Sequence, residues 1–375
     1  AGILASKRRV VRAVTLQCVA MKHTLRRPFR LLLLIAACSL VTTSLTMGDE
    51  PAVLSRILFG SCIKQEQPMP ILETIVAERP ELFIFLGDNI YADTTDMEVM
   101  RAKYAKLRAD AGFAKLLKAC PVLATWDDHD YGVNDGGADY PAKIESQQLF
   151  VDFWNDPPDS PRRSREGVYD ASMFGPAGKR VQVILLDTRY FRSPLVTGDQ
   201  QVGGRYVPAA DPGLTMLGEA QWQWLDEQLR LPADLRIIVT SIQFLPSASG
   251  QETWANLPLE RERLLRLIAS TKANGVVLIS GDRHWSELSV LETDVPYPLY
   301  ELTSSSLNQL HPRGTPTKNT LRALPNTFHR ENYGVVEIDW SAADPSITLE
   351  IRDIDKAARL RKSVRLGQLQ SAIRN

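Results

Sequence analysis

Cysteine is scarce: four occur in 375 residues, and Cys18 and Cys38 fall within the first fifty. The remaining two, Cys62 and Cys120, are too few for a disulfide-stapled secreted domain. A membrane-spanning run is missing too, because the apolar stretch at 31–41 falls short of the about 20 residues that a span requires. There is no excess of positive charge, since 44 Lys and Arg balance 44 Asp and Glu. Eight of the basic residues precede the first acidic one, Asp49, which leaves 36 against 44 and a net charge of −8 for the rest. That balance excludes a nucleic-acid binder, which needs clustered cations to neutralise phosphates. An anionic substrate would have to be held by local cations. Internal repeats at solenoid spacing and low-complexity tracts are also lacking. Histidine is rare, with His23, His129, His284, His311 and His329 the only five. Of these, His311 and His329 sit in polar C-terminal stretches and are expected to be exposed.

What is present begins with a targeting pattern. A basic stretch from Met21 runs into the apolar residues 31–41, and Arg26-Arg27-Pro28-Phe29 resembles a twin-arginine export signal, with Leu25 before it. Ile35-Ala36-Ala37-Cys38 resembles a lipoprotein cleavage site. A single N-terminal membrane anchor is the alternative. Residues 1–50 are read as an export leader, with 1–20 ahead of a start at Met21, and 51–375 as the body. Any membrane association would come through a lipid on Cys38 or an uncleaved anchor.

In the body, strand-like and helix-like segments alternate. Helices are expected at 70–78, 96–108, 111–119, 142–154, 219–229 and 259–272. Strands are expected at 56–59, 82–86, 122–125, 236–240 and 276–279, with a hairpin at 168–186. Short strands follow one another at 289–291, 299–303, 333–339 and 346–351, which suggests antiparallel pairing. This pattern is that of an α/β protein with two packed mixed sheets flanked by helices. Four apolar runs end in chemistry-bearing residues: Gly60-Ser61-Cys62, Gly87-Asp88-Asn89-Ile90-Tyr91, Trp126-Asp127-Asp128-His129-Asp130 and Gly281-Asp282-Arg283-His284. Open α/β sheets bind ligands at the carboxyl edge of their strands, so a metal cluster there is the leading reading.

Asp88 is the natural bridging ligand, because one carboxylate can hold two cations. Cys62 reads as a thiolate ligand, against the alternative of a Cys62–Cys120 disulfide. Tyr91, three residues beyond Asp88, either reaches the same metal or covers the sheet edge as an aromatic. A ligating phenolate asks for a strongly acidic ion such as ferric iron. Asp282 and His284 alternate on an extended segment and can face one cavity. Three carboxylates around His129 would repel one another without cations, unless they form a solvated acidic turn. Asn134 and Asp135 could complete an oxygen-rich site for calcium. Arg189, after a strand at 180–186, is either a phosphate contact or an ion-pair partner of Asp187 or another carboxylate.

Together the four motifs resemble the alkaline phosphatase D (PhoD-like) family of metallophosphatases, within the calcineurin-like phosphoesterases. The resemblance runs from about residue 54 to 351. It implies a four-layer α/β/β/α sandwich and export linked to twin-arginine signals. It also implies hydrolysis of phosphate monoesters or diesters at a binuclear centre of iron with calcium. Carried onto this chain, it implies Cys62, Asp88, Tyr91 and Asp282 on the iron. Calcium would then share Asp88 and take a residue of the 128–134 loop, Asp128 or Asn134, with His284 beside it as a ligand or substrate contact. Asp128 falls at a metal-ligand position, and His129 is the group that assists phosphate transfer. Gln243 stands where the wider group carries a histidine motif. Because the first motif follows directly on the leader, the separate N-terminal β domain of many members is expected to be absent. A diesterase of phospholipids or other extracellular diesters, and a non-catalytic metal-stabilised surface protein, are the rival readings.

Overall fold

The computed structural model describes residues 52–199, 204–247, 250–310 and 318–371. The leader motifs and His311 lie outside them. Two six-stranded mixed sheets carry the fold. The first begins with β1 (Arg56–Gly60) and β2 (Leu82–Phe85), two strands buried on both faces, and continues parallel into β3 (Val122–Ala124). Such uninterrupted apolar runs suit a sheet covered on both sides. Helices α1 (Pro70–Ala77), α2 (Met97–Arg108) and α3 (Ala111–Ala119) connect these strands. The starts of α2 and α3 are fixed by Asp96 and Asp110, each accepting a backbone N–H of the first turn. A single helical turn, α4 (Asp128–Tyr131), and then α5 (Lys143–Phe153) follow β3.

The chain then builds the second sheet from β4 (Asp170–Phe174), β5 (Val181–Leu185), β6 (Leu235–Val239), β7 (Val276–Ser280), β8 (Glu287–Leu291) and β9 (Leu299–Thr303). Its spatial order is β4-β5-β6-β7-β9-β8, with β5, β6, β7 and β9 mutually parallel. Between them lie α6 (Gly218–Arg230) and α7 (Pro258–Ser270). The last strands, β10 (Asn332–Asp339), β11 (Ser346–Asp353) and β12 (Ala358–Arg365), return to the first sheet, and β10 pairs antiparallel with β1.

Two cores result. One joins Ile57, Phe59, Leu82 and Ile84 of the first sheet to Val183, Ile237 and Val277 of the second, and reaches Trp222 and Leu264 on α6 and α7. The other packs Leu58, Phe83 and Phe85 against Ile71, Met100, Phe113 and Phe150 of the helices. The alternating inward and outward residues of β1 and β2 thus hold four layers together, an α/β/β/α sandwich. The expected antiparallel pairing holds for β8–β9 and β10–β11, whereas β9 also runs parallel to β7. Strand β12 escapes sequence reading because four of its eight residues are Arg or Lys, a composition typical of a guarded edge strand. No helix among the described residues is long and apolar enough to cross a membrane.

Candidate metal centre

The loops that follow β1, β2, β3, β5, β6, β7 and β9 converge at one place. Cys62 Sγ lies 3.3 Å from Asp88 Oδ2, and Tyr91 Oη donates to the same oxygen at 3.2 Å. Tyr91 Oη is also 3.0 Å from His284 Nε2. Donor atoms of Cys62, Asp88 and His284 lie within 4.8 Å of one another, and so do those of Asp88, Asp128 and His129. Asp88 is the member common to both groups. Its Oδ1 is buried without a hydrogen-bond partner, which suits an acceptor built for a cation. His129 Nδ1 meets Asp93 Oδ1 at 2.7 Å, and its ring packs on Tyr91 at 4.3 Å between centroids.

The backbone is bent to achieve this. Cys62, Asp88, Asp282 and His284 all take left-handed φ between 53° and 66°. Non-glycine residues there each cost of order 1 kcal/mol or more, so the surroundings must hold them. Asp130 provides much of that hold. Its carboxylate accepts the backbone N–H groups of Asp88 (3.1 Å), Asn89 (3.3 Å) and Asp127 (2.7 Å), and the Asn89 amide at 2.5 Å. Gly87, at φ +106°, lets the two loops touch, since a Cβ would sit 2.5 Å from the Cβ of Asp127.

Burial and neighbouring charges set the proton affinities of these groups. Burial pushes the Cys62 thiol up to about 11, and burial together with Cys62 raises the Asp88 carboxyl well above its usual range. Tyr91 is raised in the same way, by burial and by Asp88. Thiol, carboxyl and phenol in contact, each with its proton affinity raised by burial, are a donor set whose crowded negative charge a cation would offset. Burial would lower His129, but Asp88, Asp128 and Asp93 outweigh it and push it up to about 11. Burial raises Asp128 as well, yet Arg189, His129 and the Asp135 N–H hold it well below the carboxylate range.

Residues 57–344 match the family model of the PhoD-like phosphatases. The chain belongs to the PhoD-like phosphatase family. Alkaline phosphatase D of Bacillus subtilis (strain 168) is 27% identical over an alignment of 293 residues that covers 66% of this chain and 48% of that protein. The chain therefore spans about half the length of this curated relative. A solved structure of PhoD shares the fold with a TM-score of 0.64 at 20% identity, covering 84% of this chain and 69% of that one. GAP50, the anchor in the inner membrane complex of Plasmodium, follows with a TM-score of 0.52 at 14% identity over 84% of this chain and 89% of its own.

Several residues of this PhoD-like chain lie elsewhere than the sequence suggested. Arg189 is fully buried, bonding Asp127 Oδ1 at 2.6 Å and Glu252 Oε1 at 2.7 Å, so the ion-pair alternative describes it and the phosphate contact does not. The partners are Asp127 and Glu252; Asp187 instead caps the turn by accepting the Arg189 N–H. Asn134 is exposed. Its neighbour Asp135 forms a donor group with Asp128 and Glu252. Asp282 is in none of the described donor groups; its carboxylate pairs with Arg283 at 2.6 Å, and it lies near enough to Cys62 to raise the thiol. His284 groups with Cys62, not with Asp128. Gln243 is buried and bonds Glu287 and Thr303, a structural role. Cys62 and Cys120 are both free. His329 is half-buried and bonded to Thr327.

Two residues of the site had no sequence signal. Glu252 lies in a long loop after β6, and only its charge distinguishes it there. Ser305, in the run Ser304-Ser305-Ser306 after β9, looks like a turn, yet its Oγ lies 3.1 Å from Cys62 Sγ.

Proposed function

We propose that this PhoD-like protein is an exported, metal-dependent phosphoesterase that hydrolyses phosphate monoesters, diesters or both. The reading rests on one observation above all: Asp88, itself buried, belongs to two adjacent groups of metal-ligating residues, each completed by a half-buried histidine. Cys62, Asp88, Tyr91 and His284 would hold one ion, and a soft thiolate beside a phenolate suits ferric iron. Asp88 and Asp128 would hold a second, harder ion such as calcium, which prefers oxygen. When bound, such a pair supplies charge neutralisation at the phosphoryl oxygens and an activated water.

The remaining work falls to the chain. Asp93 occupies Nδ1 of His129, which fixes the ring and leaves Nε2 to deliver a proton to the leaving oxygen. Asp130 holds the Asp88 loop in its bent form. Arg189 neutralises Asp127 and Glu252, so that excess acidity beside the site does not repel an anionic ester. No serine or cysteine nucleophile with a base partner is required. Export is supported by Arg26-Arg27 and the apolar run behind them.

The test is hydrolysis of 4-nitrophenyl phosphate and bis(4-nitrophenyl) phosphate by the purified protein and by Asp128→Ala. The proposal expects turnover of at least one ester, lost in a variant that stays folded. A protein that hydrolyses neither ester, and whose melting temperature falls on chelation, would instead use its metal for stability alone.

A further inference from the structure

The geometry points to Ser305 as a positioning residue that donates a hydrogen bond to the sulfur of Cys62 while tying down the backbone of His284. This rests on the reading of Cys62 as a metal ligand. Ser305 is fully buried at the end of β9. The His284 N–H donates to its Oγ at 2.6 Å, and Cys62 Sγ lies 3.1 Å from the same oxygen. A serine hydroxyl has one proton and two lone pairs. With a lone pair taken by the His284 amide, the proton is free for the sulfur. Ser61 Oγ, 3.4 Å from Cys62 Sγ, donates its proton to the Ser304 carbonyl at 3.2 Å. The Tyr91 hydroxyl also reaches Cys62, but as a metal-bound phenolate it would have no proton to give. Ser305 is therefore the hydroxyl best placed to donate to a ligating thiolate.

The same contact ties three strand ends together. Cys62 follows β1, His284 follows β7 and Ser305 follows β9, and the first two are the left-handed residues at φ 60° and 59°. A group that touches a ligand without touching the metal sets that ligand's direction and donor strength. A hydrogen bond to a thiolate draws electron density from sulfur, which raises the energy needed to transfer an electron from sulfur to the metal.

Cobalt(II) loaded into the metal-free protein provides the readout, through its thiolate-to-metal absorption band and its binding affinity. Ser305→Ala is expected to shift the band to longer wavelength and to weaken cobalt binding about 10- to 100-fold. Ser305→Thr, which keeps the hydroxyl, should restore the band position. Ser304→Ala is the control, because its hydroxyl faces Asn332 Oδ1 at 3.0 Å and not the cysteine. Its band and affinity should match the wild type. A Ser305→Ala protein with unchanged band and affinity overturns the inference, as does an equal shift in Ser304→Ala. In either case a wild-type band that Cys62→Ser abolishes keeps the ligand reading intact. A wild-type protein without any such band overturns both.

Discussion

Replacing Arg189 by alanine separates two roles that the sequence left open. The guanidinium is fully buried, and Asp127 and Glu252 are only 1% and 3% exposed. Alanine would leave two buried carboxylates without their counter-ion, and Glu252 would keep only Arg192, at 3.0 Å. Breaking such a buried pair by removing one partner costs about 3–5 kcal/mol. For a folded body of roughly 320 residues the unfolding entropy is about 0.7 kcal/mol/K, so the melting temperature should fall by about 4–7 °C. Arg189→Lys should recover only part of this, since a point charge cannot bridge Asp127 and Glu252 as a planar fork does. Paired thermal and denaturant unfolding measures the loss, and KM is followed alongside. A variant within about 1 kcal/mol of the wild type, defective only in KM, would refute the ion-pair assignment.

Asp130→Ala should strand the N–H groups of Asp88, Asn89 and Asp127, cost about 2–5 kcal/mol, and speed hydrogen exchange at Asp88 and Asn89; protected amides in the variant would contradict this. Asp93→Asn should lower kcat roughly 100-fold while leaving stability within about 1 kcal/mol, because the Asp93 side chain is 45% exposed. A wild-type kcat would remove Asp93 from the mechanism. Burial pushes the Glu301 carboxyl up to about 7, so the folded chain keeps its proton to higher pH than the unfolded one. Its contribution is complete below about pH 4.5 and is lost as pH rises through 7, a fall of roughly 3 kcal/mol. Melting temperatures across that range should therefore decline less in Glu301→Gln than in the wild type, and parallel curves would refute the assignment.

The strands and helices that position the site were legible because their apolar runs are long and end in glycine. The runs behind Gly87 and Gly281 could be read directly, and so could the layered α/β architecture. Side-chain pairing across the two sheets was harder. Arg189 looks identical in sequence whether it points to solvent or to Asp127, 62 residues away. Glu252 and Ser305 carry no motif, and proximity created by β6 and β9 gives them their place. Asp282 shows what a local pattern leaves out: its carboxylate pairs with the adjacent Arg283 at 2.6 Å, while it still lies near enough to Cys62 to raise the thiol. Strand β12 was missed because charge hides its alternation, with Leu360 and Val364 the inward residues.

Metal titration of Asp88→Ala addresses the shared carboxylate most directly. The wild-type protein should take up two ions per chain and hydrolyse a phosphate ester, whereas the variant should fail at both positions and lose turnover. An Asp88→Ala protein that binds two ions, or that keeps full activity, would contradict the assignment of a paired centre at this edge.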